Sequence, residues 1–200
     1  MSAVLPTLLA AVGTFVVTNL DDIVVLTALF ATSGRGGPGR YQIVAGQYLG
    51  IFALVAVSVA AALGLLVVPE RWIGLLGLVP IGLGIRGLIS PWRSRGSEER
   101  GGSYTAPVKG LLGVAGVTIA NGADNVSVYT PLFRQAGPSG VAVYVVVFAL
   151  GVAVWCGAGV LLAGRGRVIA LLDRIGHWLV PAVFIVIGAA IVATSGLVTA

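Results

Sequence analysis

The sequence contains few charged residues and almost no sulfur. Of its 200 residues only 10% are charged, and it has one cysteine, one histidine and one methionine. A single cysteine, Cys156, excludes an internal disulfide and any cysteine-rich metal site. The chain also has no GxxxxGK[ST] phosphate-binding loop. We therefore do not expect ATP-driven pumping by this chain alone.

The scarcity of charge indicates a membrane protein. Soluble domains carry about 25% charged residues, whereas this chain is 58% hydrophobic with a mean hydropathy of +1.04. Its 30 glycines suit helices that pack closely in lipid. The net charge of +5 lies in short loops rather than in a basic patch interleaved with aromatic residues. We therefore expect the lipid bilayer as a partner and no nucleic acid.

Long apolar segments predict an all-α integral membrane protein. A helix that spans the membrane needs about 20 apolar residues. The first segment lacks a basic n-region, so we expect a retained helix rather than a cleaved signal peptide. Six segments qualify as spans: 4–31, 42–68, 72–91, 108–133, 140–163 and 177–198.

Basic residues in the connecting loops predict the orientation. Nine lie in the connections after the first, third and fifth segments, against two on the opposite side, Arg71 and Arg134. Positive charge favours the cytoplasmic side, so both termini should be extracytoplasmic. Arg86 lies within the third segment, and we expect it to extend to the cytoplasmic surface. The nine residues are Arg35, Arg40, Arg93, Arg95, Arg100, Lys109, Arg165, Arg167 and Arg174.

The two halves of the chain resemble each other around a hydrophilic stretch. A shift of 103 residues places Asp21 on Asp124 and Phe30 on Phe133, and a shift of 101 places the "LVP" at 78–80 on that at 179–181. A repeat of three spans inserts its second copy upside down, as in many secondary transporters. We therefore predict one transmembrane domain, with repeat one at 1–91, a cytoplasmic linker at 92–107 and repeat two at 108–200.

Two clusters of polar residues interrupt the first and fourth apolar segments. The first, "TNLDDIVVL", contains Asn19, Asp21 and Asp22, and the two aspartates diverge by about 100° on a helix. The second lies in "ANGADNVSVYTPLF", where Gly122 and Pro131 should weaken the helix and free backbone carbonyls. It contains Asn121, Asp124 and Asn125.

These residues suit a site for a divalent cation. An aspartate at the centre of a membrane helix costs about 2.5–3.5 kcal/mol, so three are hard to explain by packing alone. Carboxylate and amide oxygens are hard ligands for a divalent ion, and protons would compete for the same carboxylates. The alternative is that the acids are protonated and bond across a helix interface, or pair with Arg86. The candidate ligands are Asn19, Asp21, Asp22, Asn121, Asp124 and Asn125, with Thr18, Gln47, Ser127 and Tyr129 as supporting residues.

The polar clusters resemble the paired motifs of the cadmium-resistance transporter (CadD-like) family, within the lysine-exporter-type superfamily. "TNLDDIVVL" is similar to its first-helix motif and "TIANGADNVSVYTPLF" to its fourth-helix motif. "GQYLG" and "LVPIGLGIRGL" also resemble family segments of helices two and three. The resemblance implies a six-helix plasma-membrane protein that exports toxic divalent cations, chiefly cadmium, as substrates, with no permanently bound cofactor. Cadmium is a soft ion, however, and oxygen ligands suit manganese, calcium or zinc at least as well.

Two other functions remain open from the residues. The same carboxylates could pair with the ammonium group of a cationic amino acid or amine during export. Asp21 and Asp124 could also share a proton in an intramembrane aspartyl hydrolase, but no GxGD-type segment is present. We expect a transporter that is not an enzyme, coupled to protons. A second copy of the chain, in a homo-oligomer, is a further candidate partner.

Overall fold

The computed structural model describes residues 4–33, 36–67, 74–89, 108–163, 165, 178 and 181–193. In this part of the chain the secondary structure is helical and contains no strand, which confirms the predicted all-α class. The predicted linker at 92–107 lies outside the described residues. The helices are α1 (Val4–Thr18), α2 (Leu20–Thr32), α3 (Arg40–Gly64), α4 (Leu78–Ile89), α5 (Gly110–Asn121), α6 (Asn125–Leu162) and α7 (Pro181–Ala193). Short 3₁₀ turns at Leu65–Val67 and Gly74–Gly77 follow α3 and precede α4.

The first and fourth predicted spans are each interrupted in the middle. α1 and α2 meet at Asn19 with a bend of 54°. There the side chains of Thr18 and Asn19 donate hydrogen bonds to backbone carbonyls of the preceding turn, and such bonds compete with regular helical structure. α5 ends at Asn121, and a turn over residues 122–124 leads into α6. Both polar clusters therefore lie at helix breaks.

Helix α6 folds back on itself at Gly137. That residue has φ 65° and ψ 179°, which glycine adopts without strain, and Pro138 then suits the first turn of the next helix. Tyr129 and Phe148 have ring centroids 5.0 Å apart, although residues this far apart on a straight helix would be separated by about 28 Å. α6 is therefore a hairpin with a first arm at 125–136 and a second arm at 138–162.

Glycines bring neighbouring helices into close contact. A Cβ added at Gly46 of α3 would lie 2.6 Å from the Val114 Cβ of α5, and one at Gly50 would lie 2.5 Å from the Thr118 Cβ. The 3₁₀ turn before α4 packs against α7 in the same way, since a Cβ at Gly77 would lie 2.6 Å from the Gly188 carbonyl oxygen. Helices approach this closely only where side chains are absent.

Within the residues that the structure describes, two helices are long and apolar enough to cross a membrane by themselves, α3 and α6, and the bent pair of α1 and α2 is a third candidate. α5, α7 and a helical segment at Leu75–Arg86 are apolar but shorter. Each of the six segments predicted from the sequence thus contains helix, while six complete crossings, the inverted repeats and the orientation of the termini stay predictions.

Candidate ion-binding site

The break between α1 and α2 is held by a chain of side-chain hydrogen bonds. The Thr18 hydroxyl donates to the Thr14 carbonyl at 2.8 Å and lies 2.9 Å from the Tyr129 hydroxyl. The Asn19 Nδ2 donates to the Phe15 carbonyl at 2.9 Å, to the Thr18 Oγ1 at 2.9 Å and to the Tyr129 hydroxyl at 3.2 Å. Tyr129 is fully buried on the first arm of α6, so this chain joins the two interrupted spans.

The amide oxygen of Asn19 has no hydrogen-bond partner. The residue is 1% exposed, and its Oδ1 is buried without a donor. The orientation of the amide is fixed because the Phe15 carbonyl can only accept a hydrogen bond, so the NH₂ group must face it. A buried acceptor without a donor costs about 1–3 kcal/mol, and a cation would satisfy it.

Side chains from α6 occupy the backbone carbonyls at the first break. The Asn125 Nδ2 donates to the Thr18 carbonyl at 3.2 Å, and the Trp155 Nε1 donates to the Asn19 carbonyl at 2.6 Å. Neighbouring side chains therefore satisfy both of these backbone carbonyls at the first break. Pro131 is accommodated within the helical first arm of α6 and does not produce a separate break.

Asp22 lies buried between two amide groups from other helices. Its Oδ2 accepts a hydrogen bond from the Gln47 Nε2 at 2.8 Å, and its Oδ1 accepts one from the Asn121 Nδ2 at 2.7 Å. The Thr118 hydroxyl donates to the Gln47 Oε1 at 2.6 Å. We name these four residues (Thr118, Gln47, Asp22 and Asn121) the amide relay. It connects α2, α3 and α5.

Asp21 and Asp124 differ from Asp22 in accessibility. Both side chains are exposed on the protein, whereas Asp22 is 3% exposed. The charges of Asp21 and Asp22 each interact with that of Asp124, so the second half of the chain brings its acid close to both acids of the first half. That Asp21 and Asp124 act together as ligands of one site stays a prediction.

The donor atoms near these acids are mainly oxygen. Among the described residues, no three histidine, cysteine, aspartate or glutamate side chains converge as a metal site by themselves. Amide oxygens would have to complete a coordination sphere, and Asn19 Oδ1 is one such atom. Cys156, the single cysteine of the chain, is 5% exposed within the apolar core. Arg86, which the sequence analysis considered as a partner of the acids, has an exposed side chain.

The remaining candidates lie around the two breaks. The Ser127 Oγ donates to the Asp124 carbonyl at 2.6 Å, which stabilises the first turn of α6. Thr118 and Trp155 were not singled out from the sequence. Thr118 lies in the quoted fourth-helix motif, and Trp155 lies in the middle of an apolar segment rather than at an interface, where tryptophan is usually enriched. The position of Trp155 in the middle of an apolar segment was therefore the sequence signal that could have identified it.

Comparison with known proteins gives one match. A family model described as cadmium resistance transporter matches residues 15–200. The match includes both polar clusters and all described residues from Phe15 onward. Searches of curated proteins and of solved structures each found no match.

Proposed function

The chain belongs to the cadmium resistance transporter family, and from this premise we propose that it is a secondary transporter that exports a divalent metal cation. The observation that carries the proposal is the unpartnered, buried Asn19 Oδ1 at a break where carboxylates from both halves interact. This is a transporter family rather than an enzyme family, and its members' described role is resistance to cadmium.

In the proposed site the cation lies between the two helix breaks. Asp21, Asp22 and Asp124 supply the negative charge, and the amide oxygens of Asn19, Asn121 and Asn125 complete the oxygen ligands. Asp22 accepts one hydrogen bond on each oxygen, and an ionised carboxylate has about four acceptor positions. Its remaining positions can therefore bind the ion while Gln47 and Asn121 hold its orientation.

Proton coupling follows from the charges. Asp21 and Asp22 each interact with the charge of Asp124, and like charges that interact disfavour ionisation of all the carboxylates together without a counter-charge. When the cation leaves, protons are the available replacement, and when protons leave, the cation can bind again. Such competition makes the site an exchanger of protons for a divalent ion.

Inverted repeats are supported by matched helix lengths. The first half has a broken span of 15 and 13 residues followed by a helix of 25 residues. The second half has α5 with 12 residues and a first arm of α6 that is equally long, followed by the second arm at 138–162. We propose that these units, each with a further helix, span the plasma membrane six times with both termini extracytoplasmic.

The oxygen-rich donor set bears on the choice of ion. Cadmium prefers thiolate, but Cys156 packs in the apolar core. We propose that the site accepts cadmium as one of several divalent ions of similar size. Substitution of Cys156 by alanine should therefore leave cadmium export largely intact.

The proposal is tested by transport in proteoliposomes. The purified protein is given cadmium, manganese, zinc or calcium under an imposed pH gradient, and Asp21→Asn and Asp124→Asn are compared with wild type. Ser58→Ala is the matched control, because Ser58 is buried and bonds only the Leu54 carbonyl of its own helix.

Loss of gradient-driven transport in both acid variants, with normal transport in the control, supports the proposal. Normal transport in both acid variants would overturn the assigned site. Transport of lysine, with no effect of any divalent ion, would favour export of a cationic amino acid instead.

A further inference from the structure

A chain of hydroxyl groups determines which side of the Asn19 amide faces the protein. The Thr14 carbonyl can only accept a hydrogen bond, so the Thr18 hydroxyl, 2.8 Å away, must donate to it. The single proton of Thr18 is then committed, and the Tyr129 hydroxyl, 2.9 Å away, must donate to Thr18. Tyr129 has no second proton, so it can only accept from the Asn19 Nδ2 at 3.2 Å. The Thr14 carbonyl thus requires, through two hydroxyls, that the NH₂ group of Asn19 faces Tyr129.

This direction of the hydrogen bonds leaves the Asn19 Oδ1 as a fixed acceptor without a donor. The two amide protons of Asn19 are shared among three acceptors, the Phe15 carbonyl, the Thr18 Oγ1 and the Tyr129 hydroxyl. Neither hydroxyl of the chain has a proton left for Oδ1. Among the buried side-chain atoms that the structure describes around the first break, Oδ1 is the one without a hydrogen-bond partner. A bound cation would be such a partner.

The Asn19 amide lies near the acids of the first break. The charges of Asp21 and Asp22 both act on the Tyr129 hydroxyl, to which Asn19 donates. We name the exposed acids Asp21 and Asp124 the outer carboxylates. The Asp22 carboxylate and the Asn19 Oδ1 are the inner oxygens, because these residues are 3% and 1% exposed. A hydrated ion can reach the outer carboxylates but not the inner oxygens.

Binding at the inner oxygens requires the ion to lose water. An oxygen that is closed to water can still contact a bare cation, because metal–oxygen distances of about 2.0–2.6 Å are shorter than the about 2.7–2.8 Å of a hydrogen bond from water. Magnesium gives up its water reluctantly and usually keeps several water ligands, whereas calcium accepts oxygen ligands in flexible geometry. Cadmium is similar to calcium in size. The inner oxygens therefore favour larger ions that lose water readily.

We propose that Asn19 is the specificity-determining ligand of the transporter, and that it selects large, readily dehydrated divalent cations against magnesium. Thr18 and Tyr129 are positioning residues, since they act on the ion through the orientation of Asn19. The outer carboxylates attract any divalent cation, and Oδ1 binds an ion that has lost its water on that side. The inference rests on the proposed function and deepens it, because it states how the transporter avoids exporting magnesium.

The test compares calcium with magnesium, because both are hard ions and their difference reports dehydration rather than a preference for sulfur. Equilibrium binding of cadmium, calcium and magnesium to the purified full-length protein is measured by isothermal titration. Asn19→Ala removes the Oδ1 ligand. Thr18→Val keeps the shape of the side chain but removes the acceptor of the Tyr129 proton, which then competes with the ion for the Asn19 Oδ1.

Two further variants separate positioning from folding. Thr27→Val is the matched control, since Thr27 is fully buried on α2 and its hydroxyl donates to the Ile23 carbonyl of its own helix at 2.6 Å. Thr18→Ser keeps the hydroxyl and tests for rescue. The readout is the ratio of the calcium affinity to the magnesium affinity, because a loss of folded protein lowers both affinities by the same factor.

We expect the wild type and Thr27→Val to bind calcium at least about tenfold more tightly than magnesium, since one contact to a charged group contributes about this factor. Asn19→Ala should weaken calcium binding by about tenfold and change magnesium binding by less than about twofold. Thr18→Val should lose most of the preference for calcium, and Thr18→Ser should retain it.

Equal affinity of the wild type for calcium and magnesium, while cadmium binds, would overturn the inference and leave the proposed function intact. An unchanged preference in Asn19→Ala would also overturn it. The wild-type preference in Thr18→Val would overturn the positioning role of the hydroxyl chain. If no divalent ion binds the wild type, the proposed function itself is wrong, and the inference fails with it.

Discussion

Among single residues, Asp22 and its hydrogen-bond partners show how one acid of the proposed site is held in place. Asp22 is clamped by amide groups from α3 and α5, whereas Asp21 and Asp124 are exposed. The Gln47 amide is itself oriented by Thr118, so its NH₂ group rather than its oxygen faces the acid. Gln47 therefore acts on the site through Asp22, as a positioning residue.

Replacement of Gln47 by methionine should weaken the site through Asp22. Methionine has a similar length but donates no hydrogen bond, and a hydrogen bond to a charged group contributes about 1.5–3 kcal/mol. We expect a lower thermal unfolding midpoint and slower transport. In an Asp22→Asn background the same substitution should lower the unfolding midpoint much less, because the charged partner is gone. Equal and additive shifts in the two backgrounds would show that the bond has no special role.

Trp155 has a comparable role at the first break. Its indole donates to the Asn19 carbonyl at 2.6 Å, and its ring lies 5.2 Å from that of Phe15 in an edge-on arrangement. The ring therefore holds α1 by packing while its nitrogen satisfies the carbonyl that the break exposes. Trp155 therefore satisfies the backbone carbonyl of the same residue whose side-chain Oδ1 has no partner.

Among helices, α3 and α5 form a close contact between the two halves of the chain. It is made by Gly46 and Gly50 against Val114 and Thr118, and the amide relay crosses the same interface. The packing of these two helices therefore sets the distance between Gln47 and its partners. A small displacement of α3 relative to α5 would separate Gln47 from Thr118 and so break the amide relay.

The glycine contact can be tested with a matched pair of substitutions. Gly46→Ala places a Cβ within 2.6 Å of Val114, whereas Gly116→Ala on α5 meets no atom within 4 Å. We expect Gly46→Ala to lower the unfolding midpoint and the transport rate, because the helices must move apart. Gly116→Ala should be neutral or slightly stabilising, since alanine favours the helix by about 1 kcal/mol over glycine. Similar behaviour of the two variants would argue against a specific contact.

The sequence predicted the helical segments better than their interruptions. Apolar runs located the helices, and the turn at Gly137 falls between the predicted segments that end at 133 and begin at 140. The break at Asn19 was not predicted, because residues 15–24 contain no glycine or proline that would indicate one. The three-dimensional partners of Asp22 and of the Asn19 carbonyl depend on packing between helices distant in the chain. Neither Thr118 nor Trp155 could be assigned to them from spacing alone.

For the whole molecule, the two halves of the chain contribute unequally to the proposed site. The first half brings Asp21 and Asp22, and the second brings Asp124 with Asn125 at the position that corresponds to Asp22. In the structure Asn125 donates to the Thr18 carbonyl, while Asp22 accepts from α3 and α5. Asp22 in the first half thus corresponds to Asn125 in the second half, and the amide of Asn125 donates a hydrogen bond at the helix break of the first half.

The orientation of the molecule is open to direct measurement. Nine basic residues on one side against two on the other predict extracytoplasmic termini. Alkaline phosphatase fused after Ala200 should be active, and the same enzyme inserted in the 92–107 segment should be inactive. Green fluorescent protein at the two positions should give the reverse pattern. An active phosphatase in the 92–107 segment would contradict the predicted orientation.

The most direct test of the central claim is equilibrium binding of a divalent cation to the purified protein. Isothermal titration with cadmium and with manganese is carried out on wild type, Asp21→Asn, Asp124→Asn and the Ser58→Ala control. We predict one ion bound per chain, with affinity weakened by about tenfold or more in each acid variant, equivalent to about 1.4 kcal/mol, and unchanged in the control. Wild-type affinity in either Asp21→Asn or Asp124→Asn would contradict a single site shared between the two helix breaks.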